Sequence, residues 1–139
     1  MILFVDDEEE MDSYRMGLEL SGYEVVLQTK LDDAWEQFNL NQNQIELVIL
    51  DISMPPGNLL KEHNTLAGMR TGVVLFEMIR ESAPAMPIII FTNVSDEKIK
   101  TRFSNELSCF FLQKPEELPS TLAEKVKRLL STSDSLLPN

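Results

Sequence analysis

The sequence has 139 residues, a length that fits one domain. Its hydrophobic fraction of 43% supports a buried core and excludes wholesale disorder, while a net charge of −11 argues against nucleic acid or an anionic membrane as a direct partner. The single cysteine, Cys109, excludes an intrachain disulfide and reads as a small core residue in a reduced, cytoplasmic setting. The start lacks the basic residues and long apolar run of a secretory signal, and every apolar run is strand-sized rather than membrane-sized.

Two patterns alternate along the chain. Ile2 to Val5 is a short apolar run and predicts the first strand. Glu9 to Leu20 predicts a helix with Met11, Met16 and Leu20 among its apolar positions, ended by Ser21-Gly22. Glu24 to Gln28 predicts a second strand. Leu31 to Leu40 predicts a second helix that buries Ala34, Trp35 and Phe38, with Thr29 or Asp32 as its cap. Ile45 to Leu50 predicts a third strand, followed by Pro55-Pro56-Gly57 and a polar segment to about Arg70. Thr71 to Glu81 predicts a third helix with Val74, Leu75, Met78 and Ile79 on its apolar stripe. Pro87 to Thr92 is the fourth strand, Asp96 to Asn105 the fourth helix and Ser108 to Gln113 the fifth strand. Leu118 to Leu130 is the last helix, which leaves 132–139 as a flexible tail. Five strand-then-helix units imply an α/β domain over residues 1–131, a parallel sheet with helices on both faces and right-handed crossovers. Such a sheet places its ligand site at the carboxyl ends of the strands.

The residues at those ends are Asp6 and Asp7 after the first strand, Asp51 after the third, Thr92 ending the fourth and Lys114 after the fifth. Carboxylates converging in one pocket repel one another without a compensating cation, and oxygen ligands of this kind suit Mg²⁺. A carboxylate is a competent nucleophile toward a phosphoryl group; an ammonium and a hydroxyl can hold the phosphoryl oxygens.

Val5-Asp6-Asp7-Glu8, Leu50-Asp51 with Met54-Pro55, Phe91-Thr92 and Lys114-Pro115 resemble, in order and placement, the motifs of receiver domains of two-component response regulators. The resemblance runs from Ile2 to about Leu130. It implies a flavodoxin-like (βα)5 doubly wound sheet in the order 2-1-3-4-5. It implies that Asp51 is the phosphoacceptor, that Thr92 and Lys114 bind the phosphoryl group, and that Phe111 is the switch aromatic. Mg²⁺ would be held by Asp7 directly, by Asp6 partly through water, by Asp51 and by the backbone carbonyl of Ser53. The implied donor is a sensor histidine kinase or a phosphotransfer protein. The implied readout is the surface of the fourth helix, fifth strand and fifth helix, which would meet a downstream partner or output domain or form a dimer. Such a domain is no dedicated enzyme; it catalyses its own phosphorylation and dephosphorylation.

The chain departs from the family pattern in places. The stretch between Pro56 and Gly72 is far longer than the usual spacing from acceptor to glycine, and it holds the only histidine, His63. It reads as a lid, a partner contact or a disordered excursion. Phe111 lacks a tyrosine hydroxyl, and Asn93 stands where a small residue is common. Ser53 and Val94 fall where the family sets its dephosphorylation rate. Taken singly, Asp6 and Asp7 read as helix-capping acids, the acids after them as a solvated helix start, Phe111 as core and His63 as an exposed loop residue. The basic residues Lys98, Lys100, Arg102, Lys125, Lys127 and Arg128 read as an output contact or as a plain solvated face. The rival functions are a degenerate receiver that binds protein without phosphorylation, and a haloacid-dehalogenase-type phosphatase. The phosphatase reading is opposed by Ser53, which stands where that class has a second aspartate. The absence of a Gly-rich turn after the first strand opposes a dinucleotide fold. The span from first strand to last helix leaves no room for an output domain within these residues.

Overall fold

The computed structural model describes residues 1–66 and 68–135. Five strands, β1 (Ile2–Val5), β2 (Val25–Gln28), β3 (Leu47–Leu50), β4 (Ile88–Thr92) and β5 (Cys109–Gln113), form one parallel sheet in the order β2-β1-β3-β4-β5. Between and after them lie α1 (Asp12–Leu20), α2 (Leu31–Asn41), α3 (Thr71–Ser82), α4 (Glu97–Ser104) and α5 (Pro119–Ser135). The flavodoxin-like doubly wound architecture expected from the sequence is therefore present. Among the described residues, no helix is long and apolar enough to cross a membrane.

Period-two alternation splits each central strand between two cores. Leu3, Val5, Val48, Leu50, Ile88 and Ile90 pack with α2, α3 and α4 on one face. Ile2, Phe4, Leu47, Ile49, Ile89 and Phe91 pack on the other face with Met11, with Leu18 of α1 and with Leu122 and Val126 of α5. Because β1, β3 and β4 are buried on both faces, their sequences are continuous apolar runs; the edge strand β5 is only partly covered.

Several expectations shift. The first helix buries Leu18 and half-buries Tyr14, while Met16 and Leu20 face solvent. Met11, Tyr14 and Leu18 make the inward stripe, so the phase was one notch from the expected one. On α3, Phe76 and Val73 are buried and Val74 and Met78 only partly so. The third strand starts at Leu47 rather than Ile45, because a 3-10 turn over Gln42–Gln44 feeds it. The last helix continues to Ser135, so residues 132–135 are helical rather than tail; 136–139 lie outside the described residues.

The long segment after β3 is neither a loose excursion nor detached from the core. Its Ile52, Met54 and Leu60 are buried with Leu31 of α2 in the larger cluster. Asp32 does not cap its own helix. Its carboxylate instead accepts hydrogen bonds from the backbone N–H of Asn58 (3.1 Å) and Leu59 (3.0 Å). Gly57 takes φ +65° directly beneath that carboxylate, where a Cβ would meet Asp32 Oδ1 at 2.5 Å. The far end closes when Met54 N–H donates to Gly68 O (3.0 Å) and Arg70 N–H donates to Thr65 O (2.8 Å).

If the segment is part of the core, Leu60→Ala destabilises the protein by about 2–4 kcal/mol in urea denaturation, the cost of a buried cavity. A change within about 0.5 kcal/mol, as for a surface site, contradicts this packing.

Candidate functional site

The sheet register delivers the site. Val5 pairs with Leu50, so Asp6 and Asp51 emerge side by side from adjacent central strands. Thr92 pairs with Gln113, which sets Lys114 one residue beyond the end of β4. Hydrogen bonds continue the ladder past the strand ends: Asp51 N–H donates to Val5 O (3.0 Å) and Asp6 N–H to Gln28 O (3.1 Å). Gly72 at the start of α3 locks the backbone of Asp51 and Ile52. Its N–H donates to Ile52 O at 2.8 Å, and a Cβ there would lie 2.0 Å from Asp51 O.

Asp6, Asp51, Thr92 and Lys114 are all buried. The Lys114 ammonium lies 2.8 Å from Asp6 Oδ2, 3.0 Å from Asp51 Oδ2 and 3.2 Å from Glu8 Oε1. Burial alone would lower the Lys114 pKa, but the Asp6 and Asp51 carboxylates outweigh it and hold the ammonium well above the ordinary lysine value. Burial pushes the Asp6 carboxyl up to about 6, against the pull of Lys114 and of the Glu8 N–H that donates to Asp6 Oδ1 at 2.9 Å. The Asp7 carboxyl is raised too, first by burial and then by the charges of Asp51 and Glu8.

Glu8 is the residue that the sequence reading misplaced. Its place among consecutive acids predicts a solvated helix start, yet an Asx-type turn on Asp6 brings its carboxylate back over Lys114. The only signal available was its position two residues past Asp6. Carboxylate oxygens of Asp6, Glu8 and Asp51 lie within 4.8 Å of one another. Asp7 is exposed and stands outside that trio. It lines a neighbouring cavity with Ser53, Met54, Pro55 and Met69, the last three belonging to the long segment or its base.

Thr92 Oγ1 accepts from Val94 N–H at 3.2 Å, and Ser53 N–H approaches Asp51 Oδ1 at 3.4 Å. Glu8, Asp51, Ser53, Thr92, Asn93 and Val94 line one open mouth of about 290 Å³. Phe111, half-buried, packs against the larger core from β5, opposite Ile90. His63 is exposed on the long segment. Burial pushes the Cys109 thiol up to about 12, which keeps it protonated and poorly nucleophilic.

Three carboxylates face one ammonium here, and the fully buried Asp6 Oδ2 has Lys114 as an ionic neighbour but no aligned hydrogen bond. Asp6 and Asp51 at the strand ends, with Asp7 and Ser53 on the neighbouring wall, offer oxygen ligands of the kind that suit a hard divalent cation keeping several waters.

The sequence matches the response regulator receiver domain family over residues 2–127. A CheY-like response regulator receiver domain protein from Methanospirillum hungatei JF-1 is 25% identical, with a TM-score of 0.75, and the match covers 96% of this chain and 95% of that one. A response regulator receiver domain protein from Clostridium thermocellum is also 25% identical, with a TM-score of 0.74 and 98% coverage of both chains.

Two substitutions test this geometry. Gly72→Ala forces its Cβ into the Asp51 carbonyl, so it destabilises the fold by about 1–3 kcal/mol and displaces Asp51. Urea denaturation together with the Asp51 amide chemical shift reads both effects. Asp6→Asn removes a buried charge whose folded-state pKa lies above its unfolded value. In chelator it therefore stabilises the protein near pH 7.5 by about 1–3 kcal/mol. The gain fades as pH falls below about 6, because the wild-type carboxyl then becomes protonated in the folded state. Equal stability of the two proteins at pH 7.5 contradicts this reading.

Proposed function

Because the chain belongs to the response regulator receiver domain family, we propose that it accepts a phosphoryl group on Asp51 in a Mg²⁺-dependent reaction and signals by a change of shape. The observation that carries this is the Asp51 carboxylate, buried yet bordering an open mouth, with Lys114 Nζ 3.0 Å away.

Asp51 supplies the nucleophile. One of its carboxylate oxygens forms the new bond to phosphorus as the donor's bond to phosphorus breaks and the leaving group departs with the electron pair. Lys114 turns from Asp51 to a phosphoryl oxygen, and the Thr92 hydroxyl, now accepting from Val94 N–H, donates to another. Asp7, Asp51 and the carbonyl of Ser53 would hold Mg²⁺, with Asp6 contributing partly through water, and the ion would supply positive charge to offset that on a transferring phosphoryl group. No side chain needs to act as a strong base, since position and charge suffice.

Movement of Thr92 toward the phosphoryl group opens room beside β4 into which Phe111 turns. The surface of α4, β5 and α5 then shifts population between two shapes. Phe110 and Leu107 are exposed on that side, which suits a downstream partner or a second copy. The basic residues there are partly committed within the chain: Arg102 pairs with Glu77 at 2.6 Å, and Lys125 pairs with the buried Glu117. The donor class is a histidine kinase or a phosphotransfer protein, and the setting is cytoplasmic.

Incubation with acetyl phosphate and Mg²⁺ should add one phosphoryl group to the intact mass. The adduct should be absent with chelator and absent in Asp51→Asn. If neither an adduct nor Mg²⁺-dependent beryllofluoride binding is observed, the chain is instead a phosphorylation-independent binding module.

A further inference from the structure

The Lys114 ammonium sits within ion-pair distance of three carboxylates, and only the contact with Asp51 is an aligned hydrogen bond. Asp6 Oδ2 lies at 2.8 Å, Asp51 Oδ2 at 3.0 Å and Glu8 Oε1 at 3.2 Å. A phosphoryl oxygen that takes Lys114 competes with all three for its charge. Asp6 is fully buried and tied by the Glu8 N–H, so it is poorly placed to leave. Asp51 is the reacting group itself. Glu8 is the one partner with an exit: its side chain is 36% exposed and it lines the mouth with Asp51, Thr92 and Asn93.

We propose that Glu8 is a placeholder for the phosphoryl group, a carboxylate that shares Lys114 in the resting site and swings out as a phosphoryl oxygen takes the ammonium. The inference rests on the phosphoacceptor reading above. Glu8 acts twice. It competes for the ammonium, and its charge, within 4.8 Å of the Asp51 carboxylate, opposes the approach of an anionic donor. It is a positioning and gating residue, with no bond made or broken at its own atoms. Removing its charge then speeds the forward reaction, which separates it from a metal ligand, whose loss would slow it.

The test compares wild type with Glu8→Gln and Glu8→Ala, with thermal unfolding as a check that both variants fold. Initial phosphorylation rates are read by intact mass with acetyl phosphate, a dianion, and with phosphoramidate, which carries less negative charge. Mg²⁺ affinity is measured separately by calorimetry without donor. The expected result is an acetyl phosphate rate about three- to tenfold higher in both variants. The rise with phosphoramidate should be smaller, and beryllofluoride should bind more tightly. Unchanged rates overturn the proposal. Rates that fall together with Mg²⁺ affinity also overturn it and make Glu8 a metal ligand. If wild type labels and the variants label no faster, only the role of Glu8 fails; if wild type takes no phosphoryl group from either donor, the phosphoacceptor reading fails and the Glu8 inference falls with it.

Discussion

One buried ammonium holds the functional end of this molecule together. Asp6, Glu8 and Asp51 crowd their oxygens into a space where three negative charges would repel strongly, and Lys114 is the cation that lets them stay. The requirement reaches back into the sheet. Lys114 follows the edge strand β5, whereas its partners follow β1 and β3, with β4 between. Neighbouring strands lie about 4.8 Å apart, so only a long side chain spans that gap. The same stem that carries the charge is buried, which anchors β5 to the centre of the sheet.

The parts of this arrangement that depend on sequence-local rules were legible. Continuous apolar runs marked β1, β3 and β4 because both faces are covered, and a polar residue ending each run marked the site. What escaped depends on contacts between distant segments. Glu8 looked like any acid at a helix start, and only the turn on Asp6 aims it inward. The first helix carries apolar residues around much of its circumference, so its pattern left the phase open, and Pro119 of α5, against which Gly17 packs, helps decide it. Asp32 fits a cap by every local criterion, yet two backbone N–H groups from the segment after β3 claim its carboxylate.

That segment shows how an insertion is absorbed without loosening a site. It has no periodicity to announce itself, but it brings its own buried leucine, which packs in the same core cluster as Leu31 of α2, and its turn is satisfied by the Asp32 carboxylate of that helix. Its two ends are held close to Asp51: Met54 N–H meets Gly68 O, and Gly72 abuts the Asp51 carbonyl. The insertion thus adds a wall beside Asp7 and Ser53 and leaves the mouth over Asp51 and Thr92 open.

The electrostatic imbalance of the site also explains why a small chemical change would have a distant effect. A phosphoryl group on Asp51 would make that side more negative and bring oxygens that compete for Lys114. The ammonium cannot satisfy every acceptor at once, so its partners must be exchanged, and each exchange acts on the end of β5. This strand pairs on one side only, with β4, and is the least buried along its length together with β2. It also carries Phe111, three residues upstream of Lys114, against the core beneath α4. A change at Lys114 would therefore act on an edge strand that pairs on one side only and that packs the half-buried Phe111 against the core. The coupling needs no separate pathway, because the cation that stabilises the resting acids and the strand that would report their change are consecutive in the chain.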